Sequence, residues 1–414
     1  MKILLINQAF YPDVVSTAQH LTDLALALRQ RGHEVTVVAG DHGYDDAGRR
    51  FARRETYAGI RIFRVSYSAF GKMARWRRAL DFASFLFNLS LRLALLPRQD
   101  AVVGLTSPPL VAAIGNLFCR LKGGRFFYWV MDLNPDEAVA AGWLDEASLV
   151  AHFLARLGRW SFKKSHHVVV LDRFMKDRVV RRYGVDSAKV SVLPPWAHDA
   201  HLSPMTAADN PFRRSHGLQG KFVVMYSGNH SACHPLDTLL DAALRYRADR
   251  GVVFYFIGGG SRTVDVKRFK EKHELTNIVQ LGYQPLPQLS ESLSAADLHV
   301  TVMGAPFVGI VHPCKIYGIL SVGRPFVFIG PRESPMGDLI RESGLGAQVD
   351  AGQPEALAQA IERARRFSSP ELERIASQSI ALKDKNYSQS GLCASLVSTL
   401  ESVVLKVENK RGIR

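Results

Sequence analysis

The chain has 414 residues, 47% hydrophobic and 22% charged, an ordinary globular balance and too long for one typical domain. This composition excludes a disordered or collagen-like chain, and no run of about 20 uncharged apolar residues reads as a membrane span. The net charge is +15, and between Arg49 and Arg125 fifteen Lys and Arg face only three acids, Glu55, Asp81 and Asp100. Such a footprint attracts an anion: nucleic acid, an anionic membrane surface or a phosphorylated substrate.

The opening "KILLINQAF" (2–10) reads as a strand and turn, not an export signal. Residues 18–32 then place Leu21, Leu24 and Leu28 on one side of a helix that stops at Gly32. Strands follow at 34–40, 60–67, 101–107, 125–132, 166–172 and 190–195, alternating with amphipathic helices. The pattern pauses over 194–220, rich in Pro and polar residues, and resumes with strands at 222–229, 252–260, 277–283, 298–303, 325–330 and 346–350. Alternation of this kind marks a doubly wound parallel α/β sheet, here twice. The predicted organisation is a Rossmann-like domain over 1–200 and a second over 201–390. Residues 391–414 read as a C-terminal helix and basic tail, with a return to the first domain left open. Ligands of such sheets bind at the carboxyl ends of the strands, and with two domains the site is expected in the cleft between them.

Neither G-x-G-x-x-G after the first strand nor a Walker A loop is present, which argues against NAD-dependent chemistry and phosphate-loop ATP hydrolysis. The four cysteines, Cys119, Cys233, Cys314 and Cys393, lack metal or redox spacing and fit a reducing compartment. The stretch "GIVHPCKIYGILSVGRPFVFIG" (309–330) reads as loop, short helix and buried strand, with Pro313 in the first helical turn. Lys315 at the helix start opposes the macrodipole, and Gly318 inside it costs about 1 kcal/mol against Ala. An anion facing that helix would justify the lysine.

The order of "KILLINQAFYPD…TAQHLTDLALALRQRGHEVTVV", "YWVMDLNPDEAVAAGWL", "YSGNHSACHPLDTLL", "FIGGG", "LGYQPLPQL" and "VHPCKIYGILSVGRPFV" resembles the retaining glycosyltransferases of family 4, over nearly the whole chain. It is similar in particular to bacterial members that extend capsule, O-antigen or exopolysaccharide precursors. The resemblance implies the GT-B fold, two facing Rossmann-like domains with a cleft between them, and a nucleoside-diphosphate-sugar donor, UDP favoured. It implies no metal and no cofactor beyond that donor. Residues 304–323 would face the donor, Lys315 neutralising its diphosphate. Two glutamates usual in this stretch would fall at Ile310 and Gly318 and are absent. The variant "PCKIYG" resembles a P-S-K-x-Y-G subgroup with the same loss, so Lys315 and Tyr317 stand in for them.

The same resemblance implies donor contacts elsewhere. Relatives place an Arg and a Lys on the diphosphate near "SGNHSACH", where this chain offers His230 and His234, and Gly228 and Asn229 would supply backbone N–H groups. Gly259 would let the backbone approach the donor and Tyr283 would stack on the base. In "VMDLNPDE", Asp132 ends a strand where many relatives carry a His. It would orient a sugar hydroxyl or stabilise cationic charge on the ring, and Glu137 would receive the acceptor's proton. Ser16 and Thr17, where relatives have two glycines, would donate to phosphate or acceptor, with Thr17 as a plain N-cap the alternative.

Residues 71–96 are basic first and apolar after. Residues 71–79 are expected to rest on an anionic membrane face and 80–96 to form a core helix. The expected protein is a cytoplasmic, membrane-peripheral transferase moving a sugar to a lipid-linked saccharide, with no nucleic-acid partner. The alternatives are a nucleotide-sugar 2-epimerase of the same architecture and a non-catalytic binding protein derived from a transferase.

Overall fold

The computed structural model describes every residue except 45–47, 69, 71–74, 197–201 and 412–414, and for Arg75 and 406–411 the backbone alone. The chain divides into two compact units. The first holds residues 1–195, 309–311 and 389–414, and the second holds 196–308 and 312–388.

The first unit is built on an eight-stranded sheet. Its strands are β1 (Lys2–Ile6), β2 (Glu34–Gly40), β3 (Arg54–Tyr57), β4 (Ile60–Val65), β5 (Ala101–Gly104), β6 (Arg125–Trp129), β7 (His167–Val170) and β8 (Val190–Val192). Their order across the sheet is β3-β4-β2-β1-β5-β6-β7-β8, and every pairing is parallel except β3 with β4. Strand β3 was not expected. Its "RETY" has no apolar run to find, and it forms by folding back on β4 through Ala58 and Gly59, both at positive φ. The second unit carries β9 (Phe222–Ser227), β10 (Val252–Ile257), β11 (Ile278–Leu281), β12 (Leu298–Val302), β13 (Phe326–Ile329) and β14 (Ala347–Val349), all parallel, in the order β11-β10-β9-β12-β13-β14.

That order places a topological switch between β1 and β5 in one sheet and between β9 and β12 in the other. The crevice beyond the carboxyl ends of the strands there is the general ligand position of open α/β sheets. The central strands are buried on both faces, as helices on each side require. In the second unit Val224, Tyr226, Phe254 and Phe256 face one core cluster and Val223, Met225, Tyr255 and Ile257 the other. The parallel strands prove shorter than the apolar runs that announce them. Burial continues past the last ladder bond, as at Asn7–Phe10 after β1.

The C-terminal helix Gln389–Arg411 packs with the first unit. Glu401 accepts from His33 Nε2 at 2.9 Å, and Arg31 donates to Ser398. The helix Arg75–Ala94 is amphipathic, not the core helix expected over 80–96. It buries Asp81, Phe85, Leu89 and Leu93 at helical spacing and leaves Trp76, Leu80, Phe87 and Leu91 exposed. Residues 71–74 of the expected membrane segment lie outside the described residues. Among the described residues no helix is long and apolar enough to cross a membrane.

Candidate active site

In the second unit the loop after β9 meets the glycines after β10. Gly228 N donates to Ile257 O, His230 N to Gly259 O and Arg262 N to His230 O. The helix Lys315–Ser321 sends Lys315 into this loop. Its Nζ donates to Asn229 O at 3.0 Å and to Tyr226 Oη, and lies 4.3 Å from the Tyr226 ring centroid, a cation–π contact. Tyr226 in turn donates to Asn229 O at 2.7 Å. Gly228 makes room for the lysine: a Cβ there would lie 2.4 Å from Lys315 Cε, and φ is +131°.

Burial pushes the Lys315 ammonium down to about 7, and no carboxylate pairs with it among the described residues. Here the ammonium has a hydroxyl, a carbonyl and a ring face around it but no anion to balance its charge among the described residues. Burial first, and then the Lys315 charge, hold His230 down at about 4 and His234 well below the usual imidazole range. Both therefore rest as neutral imidazoles, which can donate a hydrogen bond to a phosphate but bring no charge to it. His230 is buried beside Tyr226 and Phe256, while His234 Nδ1 meets Ser231 Oγ at 2.9 Å.

The remaining donor-side candidates divide. Asn229 is exposed and Gly259 half-buried at the mouth of this loop. Tyr283, 63% exposed, lies over Gly259, where an added Cβ would meet its ring at 2.9 Å. Tyr317 is buried, its hydroxyl 2.7 Å from His312 Nε2 and its ring against Tyr387. The side chain is part of the packing of the second unit. Pro313 is buried and precedes the N-cap Cys314, so the helix starts two residues later than predicted. Gly318 lies against Leu293, 3.3 Å from where its Cβ would be, which favours packing for its absent side chain. Ile310 is buried in the segment grouped with the first unit.

In the first unit Asp132 and Glu137 flank the loop after β6. Asp132 N donates to Thr106 Oγ1, beyond the end of β5. Burial, then the charge of Glu137, push the Asp132 carboxyl up to about 7. Burial raises Glu137 too, against the opposing charge of Arg78 and a hydrogen bond from Asn134. Burial and their mutual charge thus hold a proton on this pair to higher pH than free carboxylates would keep it. Asp136 between them is different. Fully buried, it accepts from Arg178 Nε at 2.8 Å, Arg182 Nε at 3.1 Å and the Tyr183 hydroxyl. It ties the loop to the helix Arg173–Tyr183 and so positions its neighbours. Replacing Asp136 with Ala should destabilise the protein by about 3 kcal/mol, because two arginines and a tyrosine lose their shared acceptor. A clear drop in the thermal midpoint tests this; an unchanged midpoint refutes it.

Ser16 and Thr17 begin the helix Ser16–Gln30, Ser16 exposed and Thr17 half-buried. The N-cap is Val15 with no side-chain bond, so Thr17 is not the cap. Sequence reasoning missed the polar cluster at the carboxyl ends of β2 and β4. Asp41 and His42 are buried 2.6 Å apart, and Ser66 donates to Asp41 at 2.7 Å. The signal was present in "VVAGDHGY", a charged pair directly after a strand. Among the described residues no group of three or more His, Cys, Asp or Glu could hold a metal ion.

Comparison with known proteins gives the family. Residues 17–196 match the model of the glycosyl transferase 4-like domain, and residues 221–366 that of glycosyl transferases group 1. The chain is 25% identical over 281 residues to the probable glycosyltransferase WbjE of Pseudomonas aeruginosa, covering 68% of this chain and 70% of that one. It superposes on the crystal structure of Anabaena Alr3699/HepE in complex with UDP and glucose with a TM-score of 0.72, at 15% identity, over 97% of this chain and all of the other. WaaG, a glycosyltransferase involved in lipopolysaccharide biosynthesis, gives 0.72 at 15% identity over 96% and 99%. The chain belongs to the family 4 glycosyltransferases, enzymes with two parallel α/β domains of the GT-B type.

Proposed function

We propose that this enzyme moves a sugar from a UDP-sugar to a hydroxyl of a lipid-linked saccharide during cell-surface polysaccharide synthesis. The observation that carries the donor half is Lys315. A cation is held among Tyr226, Gly228 and Asn229, at the carboxyl end of β9, without a carboxylate to balance it. A diphosphate supplies that balance, and its charge grows as the glycosidic bond breaks, so stabilisation increases toward the transition state. With His230 and His234 neutral, Lys315 supplies the charge, and backbone N–H groups and the imidazole N–H groups would supply dipolar contacts. The exposed ring of Tyr283 over Gly259 would take the base.

Asp132 and Glu137 form the acid–base half. Carboxyls raised toward neutrality accept and return a proton at working pH, which suits Glu137 as the acceptor's base and Asp132 as the group facing developing positive charge. The UDP bound by HepE and the lipopolysaccharide role of WaaG support donor base and acceptor class. The membrane face would be the inner surface of the cytoplasmic membrane. Trp76, Arg77 and Arg78, all exposed, support it from within 71–79.

The test is thermal unfolding with UDP, GDP, ADP and TDP at millimolar concentration, followed by transfer assays with the nucleotide-sugar that stabilises. A ligand at about 100 times its dissociation constant adds roughly 2.7 kcal/mol. A selective UDP shift is expected. A larger shift with another base reassigns the donor, and none at all refutes the donor reading. Failure to pellet with anionic vesicles at low salt would refute the membrane face.

A further inference from the structure

The end of the first sheet opposite the candidate active site also carries an unexplained charge. Beneath β5, β6 and β7, at their amino ends, is a cavity of about 400 Å³, the size of a small-ligand pocket. Asp100 immediately precedes β5 and Arg125 begins β6; Arg98, Arg120, Lys164 and Trp160 are also part of the wall. Among the described residues Arg98, Arg120 and Lys164 thus face one lining carboxylate, and Asp100 already accepts from Lys2 N at 2.7 Å. Arg98, Arg120 and Lys164 have no carboxylate partner among the described residues.

Basic residues at helix C-termini answer the macrodipole, and Arg120 and Lys164 stand in the last turns of the helices Val111–Lys122 and Leu149–Lys164. That accounts for part of the charge only. A helix end carries about half an elementary charge. At the end of the helix Arg75–Ala94, moreover, the carbonyls of Ala94 and Leu96 are already taken by Lys122, at 2.6 and 2.7 Å. Amino ends of parallel strands are ordinarily a structural face of this fold, where uncompensated cations bring no folding advantage.

We propose that this cavity binds a phosphate-bearing anion, held by Arg98, Arg120, Arg125 and Lys164. Guanidinium forks and an ammonium around one recess are the groups that recognise phosphate oxygens. Two sources share the chemistry. One is the headgroup of an anionic lipid: Leu95, close in sequence to Arg98, is 77% exposed, and Leu121, next to Arg120, is 75% exposed. The other is a soluble phosphorylated metabolite with its organic part against Trp160.

The experiment uses full-length protein in a Lys315→Ala background, which silences the proposed donor site. Inorganic pyrophosphate is titrated calorimetrically at constant ionic strength, with sulfate as control, against the same protein carrying Arg98→Ala, Arg120→Ala and Lys164→Ala. All three side chains are exposed, so the fold should survive, as circular dichroism and an unchanged thermal midpoint will confirm. Pyrophosphate should bind more tightly than sulfate, and the triple variant should lose about tenfold or more. Flotation with phosphatidylglycerol vesicles separates the sources. Loss of flotation in the triple variant, with pyrophosphate competing, assigns the lipid headgroup; loss of pyrophosphate binding alone assigns a soluble ligand. Pyrophosphate binding equal to that of sulfate, or binding that survives in the triple variant, overturns the proposal. The result is independent of UDP binding, so either reading can fail alone.

Discussion

Lys315→Ala should lower kcat/KM for sugar transfer by about 10²–10³-fold, the usual loss when one preorganised group facing a developing oxyanion is removed. The thermal shift with UDP-sugar should vanish with it. The physical reason lies in the surroundings of the lysine: Lys315 is pressed against Tyr226 and Asn229, and burial brings its ammonium down to about 7. At neutral pH it is therefore only partly protonated until an anion arrives. A bound diphosphate raises it again, so donor binding takes up a proton. The sign follows from linkage. The bound state holds more protons above about pH 7, so affinity falls as pH rises, approaching tenfold per unit until the raised bound-state value is passed. A nucleotide-sugar carries no titrating phosphate near neutrality, so the slope belongs to the protein. Calorimetry in buffers of different ionisation enthalpy measures the uptake directly. Lys315→Arg, always charged, should bind the donor with that slope removed, though the larger fork fits poorly beside Gly228. Affinity independent of pH in the unaltered protein would mean that Lys315 does not face the diphosphate.

The lysine itself was legible because it breaks a rule. A cation in the first turn of a helix opposes the dipole, and such local conflicts mark sites. Its partner Tyr226 was not legible. "FVVMYS" reads simply as a buried strand, and nothing in a period of two says that one hydroxyl will meet Nζ and the Asn229 carbonyl. The surroundings of the histidines were not legible either: the depth of burial of His230 and His234 and the nearness of Lys315, which hold both neutral, are not written in local sequence. The side chains of Tyr317 and Pro313 are buried, which a short helix start does not announce. The sheets were readable because strands buried on both faces are continuous apolar runs. Strand β3, polar and antiparallel at an edge, offered no such run.

Asp132→Asn should cut kcat by about 10²-fold or more while leaving the KM for donor nearly unchanged. It should at the same time stabilise the protein at alkaline pH. Burial and Glu137 raise the Asp132 carboxyl to about 7, so the folded state holds a proton that the unfolded chain has released. Between about pH 4 and pH 7 the native state binds more protons, and stability falls as pH rises through that window. The amide removes the conflict, a gain on the order of 3 kcal/mol near pH 8 and almost nothing near pH 4. Higher stability with lower activity is the trade expected of a functional group and not of a structural one. The kinetics separate it from Lys315. In kcat the bound donor keeps Lys315 protonated, so the acidic limb near pH 7 belongs to the carboxyl pair. In kcat/KM both groups titrate, giving a bell centred near neutrality. Asp132→Asn should erase or shift the acidic limb and leave the alkaline one. If activity survives within threefold and the acidic limb is intact, the chemistry must rest on Glu137 alone. The buried charge would then serve only to shape the loop that Asp136 anchors.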